Sequence, residues 1–283
     1  MNMSLDQLLK ELSTHKRNIQ SIYKLLGEIS RLDKNRAENL TKLKARLDKL
    51  EETMKNIERE SYVQNLKEWI KHYKSILEDT TNRIKRQIGV ELENQLKNLG
   101  LALSGHYPEL RAGLFTIELD FDKWRAVIWY GPKQERLSEC LLSTSAIVKQ
   151  IERVKKELGS GLKEEELLKK LSDAYNRVAG VEKKGEYVPI IKVLTELAYL
   201  VQNPRFHQDP RRENYKSYSR ADFSYDLFRI RRYQVEAFFP IKVQLKVATR
   251  EYTRQRTDFL WVPDDENGRG TTYSHLLVEE VQK

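Results

Sequence analysis

At 283 residues, with 39% hydrophobic and 33% charged side chains, the chain has room for two domains of ordinary composition. No run of about 18 apolar residues occurs, so no membrane span is expected, and Met1 to Lys10 is charged where a signal peptide would be apolar. A single cysteine, Cys140, excludes an internal disulfide and any multi-cysteine zinc site, which points to a cytoplasmic protein, nucleoid-associated if it binds DNA.

The formal net charge of +9 is unevenly placed. From Arg205 to Thr257 there are 13 Lys/Arg against 6 Asp/Glu, and from Asp258 to Lys283 the balance turns to 2 against 6. Basic charge beside an acidic tail is either a footprint for a polyanion or a region that meets that tail inside the fold.

The chain opens on apolar residues at alternating steps of three and four: Leu5, Leu8, Leu12, Ile19, Ile22, Leu26, Ile29, Leu40, Leu43, Leu47, Leu50, Met54, Ile57. This is the seam of helices that wind around one another, broken at His15, Asp33 and Arg36. One unbroken helix over this span would be about 80 Å long and could not bury its own stripe. A second seam, from Val63 through Leu66, Ile70, Tyr73, Leu77 and Ile84 to Leu99, runs in a different register. The jump at Glu58 to Tyr62 fits either a stutter in one helix or a reversal of the chain. We favour an antiparallel hairpin bent near residues 58–62, with Asp33 to Arg36 as a competing bend. Residues 1–99 thus read as a coiled-coil arm that offers Leu40, Leu43, Leu47, Leu50, Met54 and Ile57 to a protein partner or a second copy.

Glycines and a proline punctuate Gly100 to Gly113, and two strands follow, Leu114 to Leu119 and Arg125 to Tyr130, joined by a turn at Asp120 to Lys123. Helices are predicted over Ser143 to Leu158 and Leu162 to Ala179, and Gly159-Ser160-Gly161 reads as a flexible joint between domains. Residues 100–160 form a small head and residues 161–283 a basic module on this reading. In the module, Gly185 to Ile190 is extended, with a helix to about Val201 behind it. Gln202 to Tyr218 is a polar insertion, and Ser219 with Asp222 starts a helix over Arg220 to Gln234. Strands are expected at Val235 to Phe239, Ile241 to Ala248, Phe259 to Val262 and Thr271 to Val278. The fold class is therefore α+β, mainly α.

On the helix from Arg220, Phe223, Leu227, Ile230 and Gln234 share one face at 3.6-residue spacing, and Tyr225, Arg229 and Arg232 point away from it. Together with the Tyr187-Val188-Pro189-Ile190 helix start and the alternating strand from Ile241, this resembles a winged-helix domain. The resemblance implies that Tyr225, Arg229 and Arg232 face a DNA groove, flanked by Arg220 and Arg231. Lys242, Lys246, Arg250, Arg254 and Arg256 would form the wing on the same resemblance. The insertion departs from the pattern, since helix–turn–helix units leave only a few residues there.

Lys and Arg on phosphates release counterions, and Tyr215, Tyr218, Tyr225 and Tyr252, interleaved with Arg, could stack on unpaired bases. The five histidines lack ligand spacing, Cys140 has no histidine nearby, and no phosphate-cradling glycine loop follows a strand. Neither cofactor nor metal nor small-molecule substrate is expected. The reading is a non-catalytic coiled-coil subunit or adaptor of a DNA-acting complex, binding DNA more readily than RNA. The alternatives are a protein-interaction scaffold whose module docks an acidic partner, and a metal-dependent nuclease using Glu118, Asp120 and Asp122.

Overall fold

The computed structural model describes residues 5–55, 61–182, 184–236, 240–255 and 257–280. It is a mixed α/β fold, helical at its N-terminal end, with antiparallel sheets further along. Two compact units are present: residues up to Glu91 with Asp122–Trp124, and Leu92–Phe121 with Arg125–Lys283.

In the first unit α1 (Leu5–Asp33) and α2 (Leu40–Met54) pack side by side, and α3 (Ser61–Asn98) contributes its first part. The chain turns between Asp33 and Leu40, so the expected continuous helix from Leu5 to Ile57 is two helices. Two of the three polar residues that break the seam, Asp33 and Arg36, build the turn. The Arg36 Nε pairs with Asp33 at 2.7 Å, and the Tyr73 hydroxyl donates to the same carboxylate. Asn39 closes the turn with its side-chain amide on the carbonyls of Leu32 (3.2 Å) and Asn35 (3.1 Å). The favoured bend at 58–62 falls largely outside the described residues.

This geometry overturns the partner surface read from the seam. Leu40, Leu43, Leu47, Leu50 and Met54 are each 3% exposed or less, packed in one core with Ile22, Leu25 and Ile29 of α1 and Ile70, Tyr73 and Leu77 of α3. The chain's own helices cover the stripe that a separate polypeptide was expected to cover. The side chain of Ile57 lies outside the described residues. Ion pairs stitch the outer faces, Arg46 to Glu28 at 2.6 Å and Lys74 to Glu51 at 2.8 Å. With 29 residues against 15, α1 is about 44 Å long and α2 about 22 Å. Leu9, Leu12 and Ile19, toward the start of α1, remain exposed.

The second unit begins with a five-stranded antiparallel meander in chain order: β1 (Leu103–His106), β2 (Glu109–Ala112), β3 (Phe115–Asp120), β4 (Arg125–Tyr130) and β5 (Glu135–Leu141). The glycines read as loop punctuation sit where short strands end. Gly105, at φ +93°, brings its Cα so close to the Glu109 carbonyl that a Cβ would lie 2.7 Å from that oxygen. Next comes α4 (Thr144–Glu157), whose first turn is capped by Ser143 Oγ accepting from the Ala146 N–H at 3.3 Å. Its buried face, Ile147, Ile151 and Val154, lies over β4 and β5.

The rest of the unit holds α5 (Glu164–Ala179), β6 (Val188–Pro189), α6 (Ile190–Leu200), α7 (Pro204–Gln208), α8 (Arg220–Glu236), β7 (Ile241–Val247), β8 (Leu260–Pro263) and β9 (Gly270–Glu280). The sheet order is β6-β9-β7, with β8 also on β9 and all pairs antiparallel. Of the strand expected at Val235 to Phe239, the start belongs to α8 and residues 237–239 lie outside the described residues. Leu167, Leu171, Tyr175, Val193, Leu197, Phe223, Leu227 and Leu276 form the centre of one core.

Helix α8 is enclosed on both sides. Phe223, Leu227 and Ile230 enter the core shared with α5 and α6, while Ala221 packs with Tyr130 of β4 and Trp261 of β8. The Ser224 hydroxyl donates to the Trp261 carbonyl, and the Ala221 N–H donates to Glu135 at 2.8 Å. The boundary expected at Gly159–Gly161 does not separate two bodies, because head and basic module belong to one compact unit. That segment is tied down: Gly159 N–H donates to Asp222 (2.8 Å), Ser160 N–H to Asp226 (2.9 Å), and Lys216 Nζ to the Ser160 carbonyl (2.9 Å).

Candidate nucleic-acid interface

The residues expected to bind nucleic acid separate into two sets. Those on α8 are engaged by other groups of the chain, Arg229 in the interior and Arg231 and Arg232 in pairs at the surface. Arg229 reaches Glu164 at 2.6 Å, Asp226 at 3.1 Å and the Leu162 carbonyl at 2.9 Å. Arg231 pairs with Asp264 at 2.8 Å and lies over the Tyr273 ring, and Arg232 pairs with Glu266. The Arg220 guanidinium donates to the Phe259 carbonyl, and Tyr225 packs between the module core and the Tyr130–Trp261 cluster. The groove-facing role read for Tyr225, Arg229 and Arg232 is thereby corrected. Spacing along a helix shows which residues share a face; it does not show that β4 and β8 pack on Tyr225, or that α5 and the β8–β9 turn bring carboxylates to Arg229 and Arg232. The acidic stretch after Thr257 supplies Asp264 and Glu266, so part of the charge asymmetry is internal neutralisation.

Asp226 organises this region. At 1% exposure it accepts from the Ser160 N–H, from the Tyr218 hydroxyl at 2.9 Å and from Arg229. Burial holds its pKa above the ordinary carboxylate value even against these donors, and burial with the neighbouring Asp226 charge pushes the Tyr218 hydroxyl well up. For Glu164 burial acts upward too, but hydrogen bonding from Arg229 brings its pKa below the ordinary value.

The second set lies on β7 and the loop after it. Lys242, Lys246, Arg250 and Arg254 are exposed and form no ion pair among the described residues. Arg256 lies outside the described residues. Lys242 stands opposite Glu279 in the β7–β9 register, and Lys246 stands opposite His275. The Lys246 ammonium sits 5.8 Å from the centre of the Tyr187 ring, and Tyr252 meets His275 edge-on at 5.0 Å. Burial, then the Lys246 charge, holds His275 below its ordinary pKa, which favours the neutral ring. Glu279 is engaged by the Gln244 amide at 2.7 Å, and the Tyr187 hydroxyl donates to Gln244 at 3.2 Å.

No protein family, curated protein or solved structure matches this chain.

Of the four tyrosines read as possible stacking platforms, Tyr218 is buried and Tyr225 is packed, while Tyr215 and Tyr252 keep exposed rings. A cleft of about 590 Å³ opens beside α8, with Leu101, Phe115, Tyr225 and Phe228 in its wall. Arg229 and Arg232 in that wall are neutralised by Glu164 and Glu266 of the same wall. The nuclease carboxylates are engaged as well. Glu118 accepts from the Trp129 indole at 2.8 Å and lies 3.2 Å from Lys133, and Asp120 lies 3.5 Å from Arg125. Among the described residues no three His, Cys, Asp or Glu gather as metal ligands would. Burial, then Glu139, pushes the Cys140 thiol up, away from the reactive thiolate.

Proposed function

We propose that the protein is a non-catalytic nucleic-acid-binding subunit of a larger DNA-acting assembly, and that its contact runs along β7 and the following loop instead of along α8. The observation that carries this reading is the division of the cations: Arg229, Arg231 and Arg232 each meet a carboxylate, whereas Lys242, Lys246, Arg250 and Arg254 are exposed and form no ion pair among the described residues. The sheet order β6-β9-β7, with α5 before β6 and α6 and α8 between β6 and β7, supports a winged-helix arrangement. In that arrangement the segment between β7 and β9 is the wing, which touches the nucleic-acid backbone. With the recognition helix enclosed, binding is electrostatic and indifferent to sequence.

Four phosphate contacts correspond to a slope of about −3.6 in log affinity against log salt, or roughly a 150-fold loss between about 50 and 200 mM. Salt titration with duplex DNA tests this. Arg250→Ala with Arg254→Ala reduces the slope by about 2, and Arg231→Ala with Arg232→Ala leaves it unchanged. Absence of binding at low salt, or loss carried by the α8 pair, refutes the proposal. A second role, self-association through α1, has the exposed Leu9, Leu12 and Ile19 in its favour. Sedimentation of the wild type against Leu9→Glu/Leu12→Glu tests it: a monomer in both removes that role.

A further inference from the structure

We infer that the insertion between α6 and α8 is a second site, an aromatic groove that takes the unpaired bases of single-stranded nucleic acid. The inference rests on the nucleic-acid reading above and adds to it the ligand's strandedness.

The insertion is built as an ordered loop. Gln202, itself buried, joins its two ends: Nε2 donates to the carbonyls of Ala198 (2.7 Å) and Lys216 (2.9 Å), and Oε1 accepts from the Lys216 N–H (2.8 Å). Asn203 caps α7 by accepting from the Phe206 N–H at 3.0 Å and donates to the Asn214 carbonyl at 3.3 Å. Asn214 in turn donates to the Asp209 carbonyl at 2.9 Å. The backbone's hydrogen bonds are thus answered from within the loop, and the loop is held in place before any ligand arrives.

What this frame presents is aromatic. Tyr199, Phe206 and Tyr215, with Leu194 and Ala198 as floor, line a groove of about 360 Å³. Tyr199 and Tyr215 are half exposed. The rings meet one another edge-on or tilted: Phe206 lies 6.2 Å from Tyr199 at 73° and 5.7 Å from Tyr215 at 56°, and His207 lies 4.8 Å from Tyr199 at 74°. No pair within the groove is stacked face to face; the Arg177 guanidinium lies over the Tyr199 ring at 5.8 Å from its centre, and no cation is seated on the Tyr215 ring among the described residues. Bases in a duplex are already stacked, and only unpaired ones can lie against such rings.

Charge selects the occupant. A proline-rich peptide also docks between aromatic ridges, but the loop's exposed charges are in net positive, Arg205 and Arg212 against Glu213. Arg205, next to Phe206, and Arg212, on the turn before Tyr215, are exposed and form no ion pair among the described residues. Asp209, one of the loop's two carboxylates, is held by Arg211 at 2.7 Å. Rings for bases with guanidinium groups for phosphates match a single strand.

The test is fluorescence anisotropy of the full chain with a labelled oligo-dT and with a hairpin duplex. Tyr199→Ala and Tyr215→Ala each weaken oligo-dT binding about tenfold and leave duplex binding unchanged, while Tyr199→Phe and Tyr215→Phe bind as wild type does. Tyr215 is half exposed, so its alanine variant keeps the wild-type melting curve and decides the matter should Tyr199→Ala unfold. Duplex binding with wild-type oligo-dT affinity in the alanine variants overturns the groove and spares the wing. A proline-rich peptide that binds wild type and not the alanine variants, with oligo-dT binding unaffected by those variants, also overturns it. Absence of binding to either nucleic acid sinks both readings together.

Discussion

Replacing Asp226 by alanine removes the acceptor on which head, insertion and module converge. Two buried neutral donors lose their partner, the Ser160 N–H and the Tyr218 hydroxyl. An unsatisfied buried donor costs about 1–3 kcal/mol, so the pair costs about 2–6. Arg229 loses one partner of three but keeps Glu164 and the Leu162 carbonyl, which limits the electrostatic penalty. The resulting estimate of about 4 kcal/mol agrees with the roughly 3–5 measured when a buried charge pair is broken from one side. That is a large share of a stability of about 5–15 kcal/mol. Urea unfolding followed by tryptophan fluorescence reports it, since Trp261 lies against Tyr130 beside α8. Asp226→Asn keeps an acceptor oxygen and loses less. The pH dependence has a definite sign. The folded-state pKa of Asp226 is raised, so its contribution is full below the ordinary value of 3.8 and declines as pH rises through the folded value. The stability gap between wild type and Asp226→Asn is therefore widest in acid and narrows as pH rises. A loss below about 1 kcal/mol in Asp226→Ala, or a gap that widens with pH, refutes the reasoning.

Leu43→Ala empties a fully buried position in the helical unit and should cost about 2–5 kcal/mol, read as a lower urea midpoint by far-UV circular dichroism. A near-neutral result would mean that the seam is open to solvent after all. Ser143→Ala removes the cap of α4 and should cost about 1 kcal/mol, with Ser143→Asp close to wild type in the same measurement.

The apolar periodicity of residues 5–99 was enough to read helices, because a stripe at steps of three and four is a local property of the chain. It could not say what covers the stripe. Asp33 and Arg36 were visible as seam breakers, yet their role as a turn depends on Tyr73, forty residues from Asp33. Alternation from Ile241 disclosed β7, and the strands expected at Phe259 to Val262 and Thr271 to Val278 correspond to β8 and β9. Strands β1, β2 and β5 escaped notice, being short or, like Glu135–Leu141, half-exposed along most of their length.

Composition and spacing determined most of the helices, the strands β3, β4 and β7 to β9, and that positive charge gathers between Arg205 and Thr257. Whether a given arginine is available to a ligand was decided only in three dimensions. Availability is a matter of what lies within a few ångströms, and Glu164, Asp264 and Glu266 come to Arg229, Arg231 and Arg232 from elements more than 30 residues away. The same holds for the aromatic groove: Tyr199 and Tyr215 are 16 positions apart in the chain and line one groove because Gln202 pins the loop between them.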